Sequence, residues 1–315
     1  MKLPPFKGYP LILRIVLMFS LLVVFMSVAS YAAFLSIHSL FGVEKPEEVV
    51  KGIFTSATDR YAFLYVQAIS SLGGFLLAAL AFSVLESFSP AKHLRLNVLP
   101  SLLMLVLAVA AVIIVQFFVE FLVEVNSKLP LPAGLGNIDE HQKEIEELTK
   151  RLLDFKDLPT LLVTSIVMAV IPAVSEEFFF RGLLLGDMLK SRFHPVISIV
   201  LSGLFFAVFH FEFNNTLAIW VLGSFLGYLY YVSGSLWLPI AAHFINNFFA
   251  VLLKYLFNIG VLSSDLAEAS SPWYLTLASV ILFSGCAYLF YRWRKPDDFY
   301  EPEYETEVTE HADEE

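Results

Sequence analysis

Five ionisable side chains, Glu176, Glu177, Arg181, His210 and His243, fall within long apolar stretches, and two amides, Asn246 and Asn247, follow the last of them. Ionisable groups deep in hydrocarbon are costly and usually mark function. Glu177 and Arg181 are four residues apart with the acid first, so on a helix they share a face and can pair, each neutralising the other. Glu176 is turned by about 100° from Glu177 and is left to face something else. His243 and Asn247 are also four apart and stack on one face; Asn246 could take the place of Asn247 only if that helix were turned by about 100°. Pro172, four residues before Glu176, frees a backbone carbonyl and predicts a kink. Irregular backbone at that depth is tolerated where it lines a cavity or is covered by protein. Carboxylates, imidazoles and amides gathered at one level could activate water, hold a zinc ion or relay protons. The bland alternative for each is architectural: an ion pair buried in a bundle, and a histidine satisfied by an interhelical hydrogen bond.

The elements that must position these groups are membrane helices. The chain has 315 residues, 57% of them hydrophobic, and a mean hydropathy of +0.71, more apolar surface than a soluble domain of this length can hide. Eight spans can be drawn: Leu11–Ile37, Tyr61–Val84, Val98–Val123, Leu158–Gly186, Val196–Phe213, Thr216–Val232, Leu236–Phe257 and Trp273–Tyr291. The predicted fold is an all-α polytopic transmembrane bundle. Lys2, Lys7 and Arg14, then Lys92 and Arg95, Lys190 and Arg192, and Arg292, Arg294 and Lys295 all fall on one side of it, which the positive-inside rule makes the cytoplasm, with both termini there. Trp220, Trp237, Trp273 and Trp293 lie near span ends, where indoles prefer the interface. The first span, with its basic start and Ala29-Ser30-Tyr31-Ala32, reads as a retained signal anchor. Glu86, Glu120, Glu124 and Lys254 stand close enough to span ends to snorkel.

Between the third and fourth spans, Ile145, Leu148, Leu152 and Phe155 follow helical spacing among Glu144, Glu146, Glu147, Lys150 and Arg151. This predicts an amphipathic helix on the outer surface or packed over the bundle, leading into the fourth span. Gly223 and Gly227 predict a close helix contact. Counting about 1.5 Å per residue from the inner span ends places Glu176 roughly 15 Å deep, His243 11 Å, Asn247 17 Å and His210 21 Å, all around the middle of a roughly 30 Å core. Three helices thus deliver polar groups to one level, which predicts one polar pocket.

Glu176-Glu177-Phe178-Phe179-Phe180-Arg181 resembles the EExxxR motif of the CAAX prenyl protease II and bacteriocin-processing family of intramembrane glutamate proteases. Phe206-Ala207-Val208-Phe209-His210 resembles its FxxxH motif, and His243-Phe244-Ile245-Asn246-Asn247 its third motif, His followed four residues on by Asn. The resemblance covers roughly residues 158–257. It implies that Glu176 is the base that activates a water, that His210 orients the water or the base, and that His243 and Asn247 donate hydrogen bonds to the oxyanion. Glu177 and Arg181 would hold the geometry and field around Glu176. Preorganised donors at a developing oxyanion usually supply the largest electrostatic term in acyl transfer.

The chain then divides into N-terminal helices and an outer loop (1–157), a catalytic core (158–257), a last span (258–296) and an acidic tail (297–315). The tail holds ten acidic residues and no Lys or Arg, so it alone accounts for the net charge of −10. The expected function is intramembrane endopeptidase, acting on prenylated (CAAX) or otherwise membrane-held proteins or peptides in the cell membrane of a prokaryote. No basic stripe suggests nucleic acid. No cofactor is expected: two His and two Glu would suit zinc, but there is no HExxH helix. The single Cys286 permits neither an internal disulfide nor a thiolate zinc site. A transporter or proton relay is the rival from another class, disfavoured because the first three spans hold no matching polar set. A non-catalytic membrane scaffold or bacteriocin-immunity protein is the third reading, and no motif residue is missing to support it.

Overall fold

The computed structural model describes residues 9–87, 89–129, 138–191, 193–263 and 272–293, the side chains of 138–141 excepted. Lys2, Lys7, Arg192, Arg294, Lys295 and the acidic tail lie outside the described residues. Among those described there is no strand; the protein is a helix bundle. Eight apolar helices form it: α1 (Leu11–Phe41), α2 (Ala57–Glu86), α3 (Leu102–Ser127), α5 (Leu158–Lys190), α6 (Pro195–Phe209), α7 (Thr216–Ser233), α8 (Trp237–Asn258) and α9 (Trp273–Trp293). The amphipathic segment forms α4 (Ile138–Leu153).

Seven of these helices are long and apolar enough to cross a membrane. The exception is α6. Its 15 residues rise about 22 Å, less than the roughly 30 Å hydrocarbon core. The sequence places His210 inside this span; in the structure it is the residue after the helix, and Phe211 follows with φ +54°. A bulky residue in that region is uncommon, and here it turns the chain sharply away from the helix axis. Amides from other elements satisfy the turn: Gln142 of α4 donates to the Phe211 carbonyl at 3.1 Å, and Asn126 of α3 to that of Phe213 at 2.6 Å. The side-chain amides thus satisfy backbone carbonyls that lie beyond the end of α6.

Helix α4 packs over the bundle. Leu148 and Leu152 join Ile37, Val43, Val49 and Phe63, while Phe155, just past the helix end, joins Leu161 and Val251. Asp157 caps the next helix, accepting from the Thr160 amide at 2.8 Å, and that backbone bond holds its carboxyl below the usual carboxylate range. A π-helical turn, Ile166–Val170, lies just ahead of Pro172, and a second π stretch follows at Phe178–Leu185. Such turns are common near functional residues. Glu176 and Glu177 therefore sit on a short α-helical segment between two widened ones.

Arg14, Lys92, Arg95 and Lys190 lie at the end of the bundle opposite α4. Arg14 pairs with Asp187 at 2.6 Å and with Glu86 at 3.0 Å, and Lys190 reaches His93 Nδ1 at 2.9 Å. Glu86 is thus not a snorkelling residue. It is 2% exposed and helps tie α1, α2 and α5 together, because a charge lodged between helices must be paired. Asp187, also buried, has no precedent in the sequence reading.

Helices α6 and α7 cross at glycines. Gly223 lies against Gly203, and a Cβ added at Gly203 would stand 2.7 Å from the Ser224 backbone nitrogen. Gly203→Val is therefore expected to cost about 1–3 kcal/mol through overpacking. Thermal unfolding in detergent would show it, with Gly285→Ala as the control, since a Cβ there meets nothing within 4 Å. Equal melting of the two variants would mean that this crossing is not close-packed.

Candidate active site

Glu177 lies at the centre of the buried polar cluster. Its Oε1 accepts from Arg181 Nη1 at 2.7 Å, as the i,i+4 spacing predicts, and also meets His243 Nδ1 of α8 at 2.9 Å. Arg181 is fully buried; its Nη2 donates to the Gly223 carbonyl at 2.7 Å, and its guanidinium lies 4.5 Å from the centre of the Phe206 ring. Buried guanidinium groups gain from an aromatic face as well as from a carboxylate. Because a paired carboxylate only accepts, the Nδ1 of His243 carries a proton directed at Glu177. The ring's Nε2 is then the atom left for chemistry.

Glu176 faces another way, as its place next to Glu177 on the helix predicts. Its Oε2 is enclosed, makes no hydrogen bond to protein, and stands 3.9 Å from His210 Nε2. That is too long for a direct hydrogen bond. The other ring nitrogen, Nδ1, lies 2.8 Å from the Phe206 carbonyl, which can only accept. In neutral His210 the proton therefore belongs on Nδ1, and Nε2 turns a lone pair toward the Glu176 carboxylate. Two acceptors thus confront each other across a gap that a hydrogen-bond donor could bridge. Phe206 itself packs against both imidazoles, with centroids 4.4 Å from His210 and 5.7 Å from His243, so the FxxxH phenylalanine separates and positions the two rings.

Among the residues singled out by sequence, the structure brings Glu177, Arg181 and His243 into direct contact, and Glu176 and His210 across 3.9 Å. Asn247 shares the α8 face of His243 one turn on, and its Oδ1 accepts from Asn246 Nδ2 at 3.1 Å. Two further participants carry no motif. The Gly223 carbonyl is a backbone group invisible to side-chain reading. Gln116 of α3, whose amide reaches Asn246, could have been noticed as a lone polar residue in mid-span. Among the described residues, no three side chains of His, Cys, Asp or Glu converge as metal ligands would. A cavity of about 440 Å³ near Val43, Lys45, Glu48 and Asp59 contains none of the cluster residues.

Comparison with known proteins converges on the family read from the three motifs. Residues 158–249 match the family described as type II CAAX prenyl endopeptidase, Rce1-like. The chain is similar to the putative membrane peptidase YdiL of Bacillus subtilis, 27% identical over 109 residues that make up 34% of this chain and 43% of the relative. It is also similar to the uncharacterized protein YyaK of the same organism, 29% identical over 147 residues, 42% of this chain and 49% of the relative. The chain thus spans less than half the length of these curated relatives. No solved structure matches it. The matched segment runs from α5 into α8 and carries Glu176, Glu177, Arg181, His210, His243 and Asn247. The chain is thus a bundle of apolar helices, one segment of which is similar to the Rce1-like family.

Proposed function

We propose that this protein is an intramembrane endopeptidase that hydrolyses a peptide bond with a water activated by Glu176. The observation that carries the reading is the pair of acceptors, Glu176 Oε2 and His210 Nε2, 3.9 Å apart, with the His210 tautomer set by the Phe206 carbonyl. A water between them would donate one O–H to each and turn a lone pair outward. Glu176 takes the proton as the water oxygen attacks the scissile carbonyl carbon. The carbonyl oxygen becomes an oxyanion, which accepts from Asn247 Nδ2 and His243 Nε2. Collapse breaks the C–N bond, and the proton held by Glu176 passes to the leaving amine.

His243 can donate from Nε2 only as imidazolium, since its Nδ1 proton is already committed to Glu177. The charges then sum to zero: Glu176 and Glu177 negative, Arg181 and His243 positive. A neutral cluster is the arrangement that low dielectric favours.

The substrates of this reading are membrane-held proteins or peptides, with prenylated C-terminal CAAX segments first among them. The end of the bundle carrying Arg14 and Lys190 faces the cytoplasm of a prokaryotic cell under the positive-inside rule. The test incubates the purified protein in detergent with a farnesylated CAAX peptide and a non-prenylated control, each with and without EDTA. Release of the C-terminal tripeptide is expected, and it should be unaffected by the chelator because water activation is assigned to Glu176 and His210. Loss of cleavage in EDTA, restored by zinc, would replace this mechanism with a metal-dependent one. Equal cleavage of both peptides would retain the peptidase and remove the prenyl group from its specificity.

A further inference from the structure

The polar chain that ends at Asn247 begins outside the Rce1-like segment. Gln116 lies mid-way along α3, a helix with no motif of its own, and is partly buried. Its Nε2 donates to the Val112 carbonyl at 2.8 Å and to Asn246 Oδ1 at 3.1 Å. Asn246 Nδ2 in turn donates to Asn247 Oδ1 at 3.1 Å. The direction of this chain is not free. Val112 O is a backbone carbonyl and can only accept, so the Gln116 amide must present nitrogen to it. That same NH2 group carries the second proton that meets Asn246, which must therefore answer with oxygen. Asn246 is left with its nitrogen toward Asn247, and Asn247 must answer with oxygen too. Each link removes one amide flip, and a single backbone carbonyl sets the polarity of all three side chains.

We infer that Gln116 and Asn246 are positioning residues that hold Asn247 with its NH2 group, rather than its carbonyl, available to the reacting centre. The inference rests on the reading of Asn247 as an oxyanion donor. An asparagine free to flip would present oxygen to an oxyanion about as readily as nitrogen, and a hole that must reorganise loses much of its electrostatic value. An amide in mid-span is also costly unless its hydrogen bonds are made, and here they are spent on orientation. The relay further explains why two adjacent asparagines follow His243: Asn247 shares that residue's face, and Asn246 points to α3 and fixes its neighbour.

Two measurements test this. The first needs no substrate. With 15N-asparagine labelling in detergent micelles, the side-chain amide signals of Asn246 and Asn247 are assigned through Asn246→Asp and Asn247→Asp. Gln116→Leu should shift both, although it touches only Asn246. Gln116→Glu, nearly the same size but unable to donate from that position as a carboxylate, should shift Asn247 further by favouring the reversed chain. An Asn247 signal unmoved in both variants overturns the relay. The second is kinetic, on the farnesylated peptide. Asn247→Ala should lower kcat by about 10²–10³-fold. Gln116→Leu should lower kcat by about tenfold with KM nearly unchanged, and should add nothing in the Asn247→Ala background, because its effect runs through that residue. Independent multiplication of the two losses overturns the relay. Full activity in Asn247→Ala would instead remove the oxyanion reading, while the amide spectra still decide whether Gln116 orients the pair.

Discussion

Glu176→Gln is expected to abolish turnover while leaving the bundle intact. The substitution keeps size and a hydrogen-bonding group at the position facing His210, but an amide cannot take a proton from water. Loss of a general base typically costs about 10²–10⁴-fold in rate. Stability should change little, because the Glu176 Oε2 makes no hydrogen bond to protein and its basic neighbour stands 3.9 Å away. Gln could relieve this arrangement by donating toward His210 Nε2, so a slightly higher melting temperature accompanied by no cleavage is compatible with the assignment. Peptide cleavage and thermal unfolding in detergent, measured on the same preparation, decide it. Cleavage at the normal rate would mean that the base is another residue.

Glu177→Gln should behave differently, losing stability as well as activity. Glu177 is fully buried and serves two donors through one oxygen, Arg181 and His243. Neutralising it leaves the Arg181 guanidinium inside the bundle with no carboxylate hydrogen-bonded to it, held by neutral acceptors such as the Gly223 carbonyl and by the Phe206 face. Orphaning one member of a buried ion pair typically costs about 3–5 kcal/mol. The double variant Glu177→Gln/Arg181→Met removes the stranded charge and should recover part of that loss in thermal unfolding. It should not recover cleavage, since His243 would still lack the carboxylate that accepts from its Nδ1 and orients the ring. If Glu177→Gln melts like the unmodified protein, the pair with Arg181 does not hold this helix. If the double variant is no more stable than the single, the stranded charge is not the source of the loss.

Much of the architecture is legible in the chain because each apolar helix is a local pattern. Long apolar runs give the spans, and the spacing of Ile145, Leu148 and Leu152 gives α4 its buried face. The fourfold spacing of Glu177 and Arg181 gives their contact, since i,i+4 neighbours meet on any regular helix. Helical periodicity also separates Glu176 from Glu177 by face. That α6 ends at Phe209 was not legible, because Val208 to Phe213 continues an apolar run broken only by His210 and Glu212. Only the packing of Gln142 and Asn126 onto the turn shows why the helix can stop there.

What the tertiary structure alone decided is which faces meet. Periodicity fixes a side chain's direction on its own helix, but rotation between helices is set by packing, and each π turn in α5 shifts that phase again. Hence Glu177 proves to hold His243, 66 residues away, as well as Arg181, and Glu86 proves to be buried against Arg14. Hence also Gln116, 130 residues from Asn246 and outside every motif, proves to anchor the pair of asparagines. The protonated nitrogens of the two imidazoles follow from the same cause: a carbonyl in one case and a carboxylate in the other occupy the space beside Nδ1, and only the folded bundle puts them there.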